Sequence, residues 1–179
     1  MARSAGPAAG AYGGHCGLAV GTDWGKKGGC HGYDAGKQVA GRKRHIAVDT
    51  EGFLLVVHVQ AGDEQERLGA RAVFATLGQQ VPTVRLVWVD GGYSGPLVQS
   101  YGQAIDCQVN VVAKPVNQKG FAVLPRRWVV ERTFGWLGKY RRLAGRDYET
   151  TVASSEAWIR ICMSHLMLRR LARKRKSET

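Results

Sequence analysis

Val84-Arg85-Leu86-Val87-Trp88-Val89-Asp90-Gly91-Gly92 is the stretch whose reading decides the fold. A short apolar run closed by Asp-Gly-Gly reads as a buried strand ending in a turn. The elements on either side fall into place around it. Upstream, Asp63 is positioned to N-cap a helix with Glu66 three residues on, and Ala70, Val73, Phe74 and Leu77 form its apolar face. Further upstream, Arg44–Thr50 and Phe53–Gln60 are strand-like runs separated by Asp49-Thr50-Glu51-Gly52, a hairpin signal. Downstream come a short helix over Pro96–Ala104 and a strand over Cys107–Ala113, stopped at Lys114-Pro115. A polar loop, Val116–Gly120, leads to a long helix over Arg126–Leu143. The last helix starts near Ser154 or Ser155 and runs through Trp158, Ile161, Cys162, His165, Leu168 and Leu171 into a basic tail. A hairpin followed by alternating helices and strands predicts an α/β domain with a mixed sheet flanked by helices.

The 179 residues allow one domain with a real core. Net charge is +12 and the isoelectric point about 10.0, which favours a phosphate-rich partner. Fourteen of the 26 Lys and Arg residues lie in 122–179, against five acids there. Residues 1–40 are rich in Gly and Ala, with only Leu18-Ala19-Val20 able to seed a strand, and read as poorly ordered or loosely attached. Cys16, Cys30, Cys107 and Cys162 form no CxxC pair, so neither a disulfide framework nor a zinc ribbon is indicated. His15-Cys16 and Cys30-His31 form a mirrored pair, yet adjacent side chains rarely converge on one tetrahedral metal. Met1–Gly14 has no apolar core of a signal peptide, and Phe53–Val59 is too short to span a bilayer. A cytoplasmic protein without a membrane segment is the expectation.

Two carboxylates stand out. Asp90 closes the buried strand, where an opening sheet commonly receives ligands; Asp-Gly-Gly is also ideal for a simple turn. Glu131 lies 41 residues later within Arg126-Arg127-Trp128-Val129-Val130-Glu131-Arg132-Thr133-Phe134-Gly135-Trp136-Leu137. An acid on a rigid helix beside arginines suits a divalent-metal site facing a polyanion, with Arg127 and Arg132 on the DNA backbone. The alternative is a helix salt bridge from Glu131 to Arg127. Trp128, Phe134 and Trp136 read as core residues rather than base-stacking platforms.

The segments Gly32-Tyr33-Asp34-Ala35-Gly36-Lys37, Gly41-Arg42-Lys43-Arg44-His45-Ile46-Ala47-Val48-Asp49-Thr50 and Trp88-Val89-Asp90-Gly91-Gly92-Tyr93, with Leu124–Leu137, closely resemble DDE transposases of bacterial insertion sequences, in the insertion-sequence-five group. The resemblance covers roughly residues 28–172, leaving 1–27 as a poorly ordered, non-native segment and 173–179 as a basic tail. It implies an RNase H-like domain with Mg²⁺- or Mn²⁺-dependent cleavage and joining of DNA strands at element ends. Double-stranded DNA, as element ends and target, would be the partner, and a homodimer is allowed. By position, Asp90 matches the second catalytic Asp, Glu131 the catalytic Glu, and both would hold the metal. Arg127 matches the Arg four residues before that Glu. Arg132, Lys139 and Arg142 are the further DNA contacts expected. Leu124 stands where the family has Tyr, and Gly138 where it has Lys, with Lys139 one place late.

The family's first Asp belongs to the first strand, near the end that meets Asp90. Asp49, at the far end of an antiparallel strand, is expected about six residues, ~20 Å, away and reads as a turn residue. At the family's position for that Asp this chain has Gly17-Leu18-Ala19-Val20-Gly21-Thr22. Codons for those residues, read one nucleotide later, can spell Asp-Ser-Gln-Ser-Val-Arg. Residues 1 to about 25 are therefore read as a frameshifted remnant, with Asp23 a weak substitute, and no N-terminal DNA-binding segment of the family's kind is seen. Two alternatives accompany this reading: a non-catalytic DNA-binding remnant, and an RNase H-like nuclease without strand transfer.

Overall fold

The computed structural model describes residues 15–23, 32–34, 38–112, 128–144 and 147–177. Six strands and four helices are formed by them: β1 (His15–Asp23), β2 (Gly32–Asp34), β3 (Val39–Val48), β4 (Leu54–Ala61), α1 (Glu66–Gln80), β5 (Leu86–Asp90), α2 (Pro96–Ala104), β6 (Gln108–Val112), α3 (Trp128–Leu137) and α4 (Val152–Ser177). β1 pairs antiparallel with β3 and parallel with β5; β3 also pairs antiparallel with β4, and β5 pairs parallel with β6. The short β2 lies against Val39–Gly41 at the start of β3. The sheet is mixed, as expected.

Its two faces carry separate cores. Ala47, Val56, Val87, Val89 and Val109 pack with Ala70, Val73, Phe74 and Leu77 of α1 and Val98 of α2. Ile46, Val48, Val57 and Val59 pack on the opposite face with Val130 and Leu137 of α3 and Ile159, Cys162 and Met163 of α4. Strand residues alternate between these cores, as a period of two requires.

Several boundaries differ from the expectation. Residues 15–23, read as loosely attached, form the central strand β1, because hydrogen-bonding partners on both edges stabilise a segment that local composition leaves undecided. Asp63 does not cap α1: Gln65 is the N-cap residue, without a side-chain cap. The helix expected over Arg126–Leu143 is α3 in its described part and stops at Leu137, where Lys139 N–H to Trp136 and Tyr140 N–H to Leu137 tighten the chain into turns. α4 starts at Val152 because Thr151 Oγ1 accepts the Ser154 N–H at 3.1 Å. Its inward face is Ser155, Ile159, Cys162 and Met163, while Ile161, Leu168 and Leu171 are exposed. Trp128, expected in the core, is 45% exposed, with Arg132 lying on its ring. Val116–Gly120 lies outside the described residues.

Candidate functional site

Asp90 ends β5. Val87 and Val89 belong to the core under α1 and α2. Alternation along the strand therefore turns Trp88 and Asp90 toward the face that carries α3 and α4. Asp90 Oδ1 accepts the Gly91 N–H at 2.6 Å and so caps the short 3-10 turn Gly91–Tyr93. Tyr93 anchors that turn: it is 1% exposed, and its hydroxyl lies 2.7 Å from His45 Nδ1 of β3. Burial, then the nearby Glu66 and Asp90 charges, push the Tyr93 hydroxyl well above its ordinary range, so it stays protonated. Glu66 of α1 packs against Gly92 of this turn, where a Cβ would make its carboxylate shift. The turn after Asp90 is thus fixed from β3 and from the first turn of α1.

Glu131 lies in the first turn of α3 and is exposed, while Val130, Thr133 and Leu137 of the same helix are buried. α3 packs on β1 and β3. Thr133 Oγ1 donates to the Gly52 carbonyl at 2.9 Å, and Arg132 donates to the Glu51 carbonyl at 2.7 Å. Gly52 permits this approach with a φ of +87°, and a Cβ there would meet Thr133 Oγ1 at 2.8 Å. The β3–β4 hairpin thereby holds the helix that carries Glu131. Asp90 and Glu131 belong to the same side of the sheet.

Between them runs β1. Gly17 pairs with Val48 and Trp88, and Leu18 pairs with Ala47 and Val89. Positions 17 and 19 therefore share the α3 face, and position 18 belongs to the other. In the register, the β1 positions level with Trp88 and Asp90 are 17 and 19, which hold Gly and Ala. Asp23 pairs with Arg42, four residues beyond the level of Asp90, roughly 13 Å along the strands. Asp49 is the turn residue it was read to be: its Oδ1 accepts the N–H groups of Glu51 and Phe53, each at 2.9 Å. The register corrects its offset from Asp90 to three residues, roughly 10 Å along the strands rather than ~20 Å.

This donor set fits a divalent metal in part. Asp90 and Glu131 are hard oxygen ligands on rigid elements, the type Mg²⁺ and Mn²⁺ prefer. Among the described residues no group of three or more His, Cys, Asp or Glu could hold a metal ion. Cys30 and His31 lie outside the described residues, as does Arg127.

The basic residues divide into two kinds. Arg132 is bound to the Glu51 carbonyl and lies 5.2 Å from the Trp128 centroid and 4.8 Å from that of Trp136. Arg142 pairs with Glu149 at 2.7 Å and covers Trp158 at 4.8 Å. Lys139, by contrast, is exposed and borders a cleft of about 350 Å³ together with Trp136, Tyr140, His165, Arg169 and Arg173. Composition pointed to this basic end without singling out His165, Arg169 and Arg173. Their spacing of four residues along a helix is the signal that unites them.

No helix among the described residues is long and apolar enough to cross a membrane. No curated protein matches the sequence. Among solved structures, the catalytic core domain of BIV integrase matches with a TM-score of 0.52 and 17% identity, over 83% of this chain and 79% of that one. At that identity the likeness establishes the fold, which is RNase H-like. The family model described as the transposase DDE domain matches residues 12–167. With a match that spans most of its length, this chain belongs to the DDE-domain transposase family.

Proposed function

We propose that the chain is the DNA-processing domain of an insertion-sequence transposase of the insertion-sequence-five group, with Asp90 and Glu131 as its acidic pair. The observation that carries the reading is the pairing of a family match over residues 12–167 with two acids on one face of an RNase H-like sheet. Asp90 and Glu131 would hold Mg²⁺ or Mn²⁺, which when bound activates the attacking oxygen and stabilises charge on the phosphodiester. The remaining residues hold the frame. Tyr93 and His45 fix the turn that carries Asp90, and Thr133 and Arg132 fasten the helix that carries Glu131 to the hairpin. Double-stranded DNA is the partner, drawn to the basic surface of α3 and α4 by its phosphates.

A second reading, a DNA-binding chain that does not cleave, is favoured by Gly17 and Ala19 on the β1 face beside Asp90. A site with two anionic ligands holds metal weakly and in poor geometry. The purified chain is expected to bind duplex DNA and leave supercoiled plasmid intact with Mg²⁺ or Mn²⁺. Gly17→Asp is expected to produce metal-dependent nicking, and adding Asp90→Ala to abolish it. Leu18→Asp, on the opposite face, is expected to produce none. Nicking by the unaltered chain that Asp90→Ala removes would overturn the incomplete-site reading. Joining of the nicked ends to target DNA separates a transposase from an RNase H-like nuclease.

A further inference from the structure

Most basic side chains in the sheet and along the start of α4 already have partners. Arg42 pairs with Asp147 at 3.1 Å, Lys43 with Asp34 at 3.1 Å, Arg142 with Glu149 at 2.7 Å, and Arg160 with Glu156 at 3.1 Å. The cleft between the end of α3 and the second half of α4 is different. Lys139, Arg169 and Arg173 border it, all three exposed, and none meets a carboxylate among the described residues. No acid lines it. Within it the Tyr140 hydroxyl and His165 Nδ1 lie 2.9 Å apart, adding polar groups to the concentrated positive charge.

The indole of the cleft, Trp136, is occupied. Guanidinium groups of Arg132 and Arg170 lie 4.8 and 4.0 Å from the Trp136 centroid, and Arg170 also lies 4.9 Å from that of Phe53. A base stacking on Trp136 would have to displace cations already bound to its π-system. The ring organises charge and offers no free platform. Glu131 lies five residues before Trp136 on the same helix, roughly 7.5 Å along its axis, about two base-pair steps of duplex DNA.

We propose that this cleft is a phosphodiester-binding subsite, in which Lys139, Arg169 and Arg173 grip the DNA backbone without reading base sequence. It rests on the reading of the chain as a protein that acts on DNA. Backbone contacts of this kind position a duplex and carry no sequence information. The cost of removing them is therefore uniform across sequences and appears in the salt dependence.

The test is fluorescence anisotropy of the full chain with two labelled duplexes of unrelated sequence, titrated at several salt concentrations in EDTA. Arg169→Gln with Arg173→Gln is expected to make the log–log salt slope shallower by about 1.8, or 0.9 for each phosphate no longer neutralised. Affinity should fall by the same factor on both duplexes. Lys139→Gln should flatten the slope by about 0.9. Arg160→Gln, whose cation is already paired with Glu156, should leave it unchanged. All four side chains are exposed, and thermal unfolding of each variant checks that the fold is intact. An unchanged slope in the double variant, or a weakening confined to one sequence, overturns the subsite and leaves the DNA reading standing. No binding of either duplex by the unaltered chain overturns both.

Discussion

Arg42, Lys43 and Arg44 on β3, followed by His45, and the lysine and arginines of the α3–α4 cleft add alike to the basic composition, yet their physical situations are opposite. Arg42, Lys43, Arg44 and His45 are 0%, 5%, 6% and 0% exposed. Arg42 donates to Asp147 and to the carbonyls of Glu149, Thr150 and Thr151. Lys43 donates to the Glu64 carbonyl at 2.9 Å, and Arg44 to the Leu143 carbonyl at 3.1 Å. Burial pulls the Arg44 guanidinium below its ordinary range, with the Asp147 charge opposing the shift. In the cleft, Lys139, Arg169 and Arg173 remain in water. Charge on the strand ties the sheet to the segments before α1 and α4, and charge on the cleft faces outward. A high isoelectric point therefore describes a partner only after the internally bound cations have been set aside.

The strongest way to break that contrast is Asp147→Ala. It removes the carboxylate that meets Arg42 at 3.1 Å and Ser155 Oγ at 2.8 Å, and so takes a buried counter-charge from the guanidinium. Loss of one member of a buried pair costs about 3–5 kcal/mol. Urea unfolding should register it, and a loss of under ~1 kcal/mol would mean that water already reaches Arg42. Gly69→Ala comes next. A methyl group there runs into the His45 ring, and the overpacking should cost about 1–3 kcal/mol in the same measurement. Full stability in this variant would show that the ring has room to move, and the contrast would weaken at His45.

Glu156 gives the smallest effect, and its sign is informative. Burial alone would raise its carboxyl, but hydrogen bonds from His58, the Val59 N–H and Arg160 outweigh burial and hold it below the ordinary value. A group whose folded value is depressed contributes stability above its unfolded value, and that contribution is lost as pH falls through the folded value. The stability advantage over Glu156→Gln should therefore shrink as pH drops below the usual glutamate range. An advantage that instead grows toward acid would reverse the assignment of these hydrogen bonds.

The hairpin, α1, α2 and the strand that ends at Asp90 were legible because each pairs a clear period with turn residues at its ends. The apolar face Ala70, Val73, Phe74 and Leu77 is the one observed. Burial of Arg42–Arg44 was not legible, because a run of cations has the same local pattern whether water or a carboxylate a hundred residues away receives it. Nor was β1, since its stability comes from two neighbouring strands rather than from its own Gly-rich composition. The inward face of α4 was not legible either, because apolar residues occur around most of the helix, and Ile161, Leu168 and Leu171 obey helical spacing as well as Ile159, Cys162 and Met163 do. Asp90 and Glu131 were singled out by their motifs, as candidates. The cleft needed the fold, which brings Lys139 to Arg169 and Arg173.

The place of β1 also bears on solubility. It joins the β3–β4 hairpin to the β5–β6 pair within one sheet. While it is absent or undocked, β3 and β5 each present an open row of N–H and C=O groups, a template for another chain. Asp90 and Glu131 would survive such an opening unchanged in sequence, but on a molecule primed to associate edge to edge. The first strand thus guards the folded chain against edge-to-edge association whatever residue stands beside Asp90.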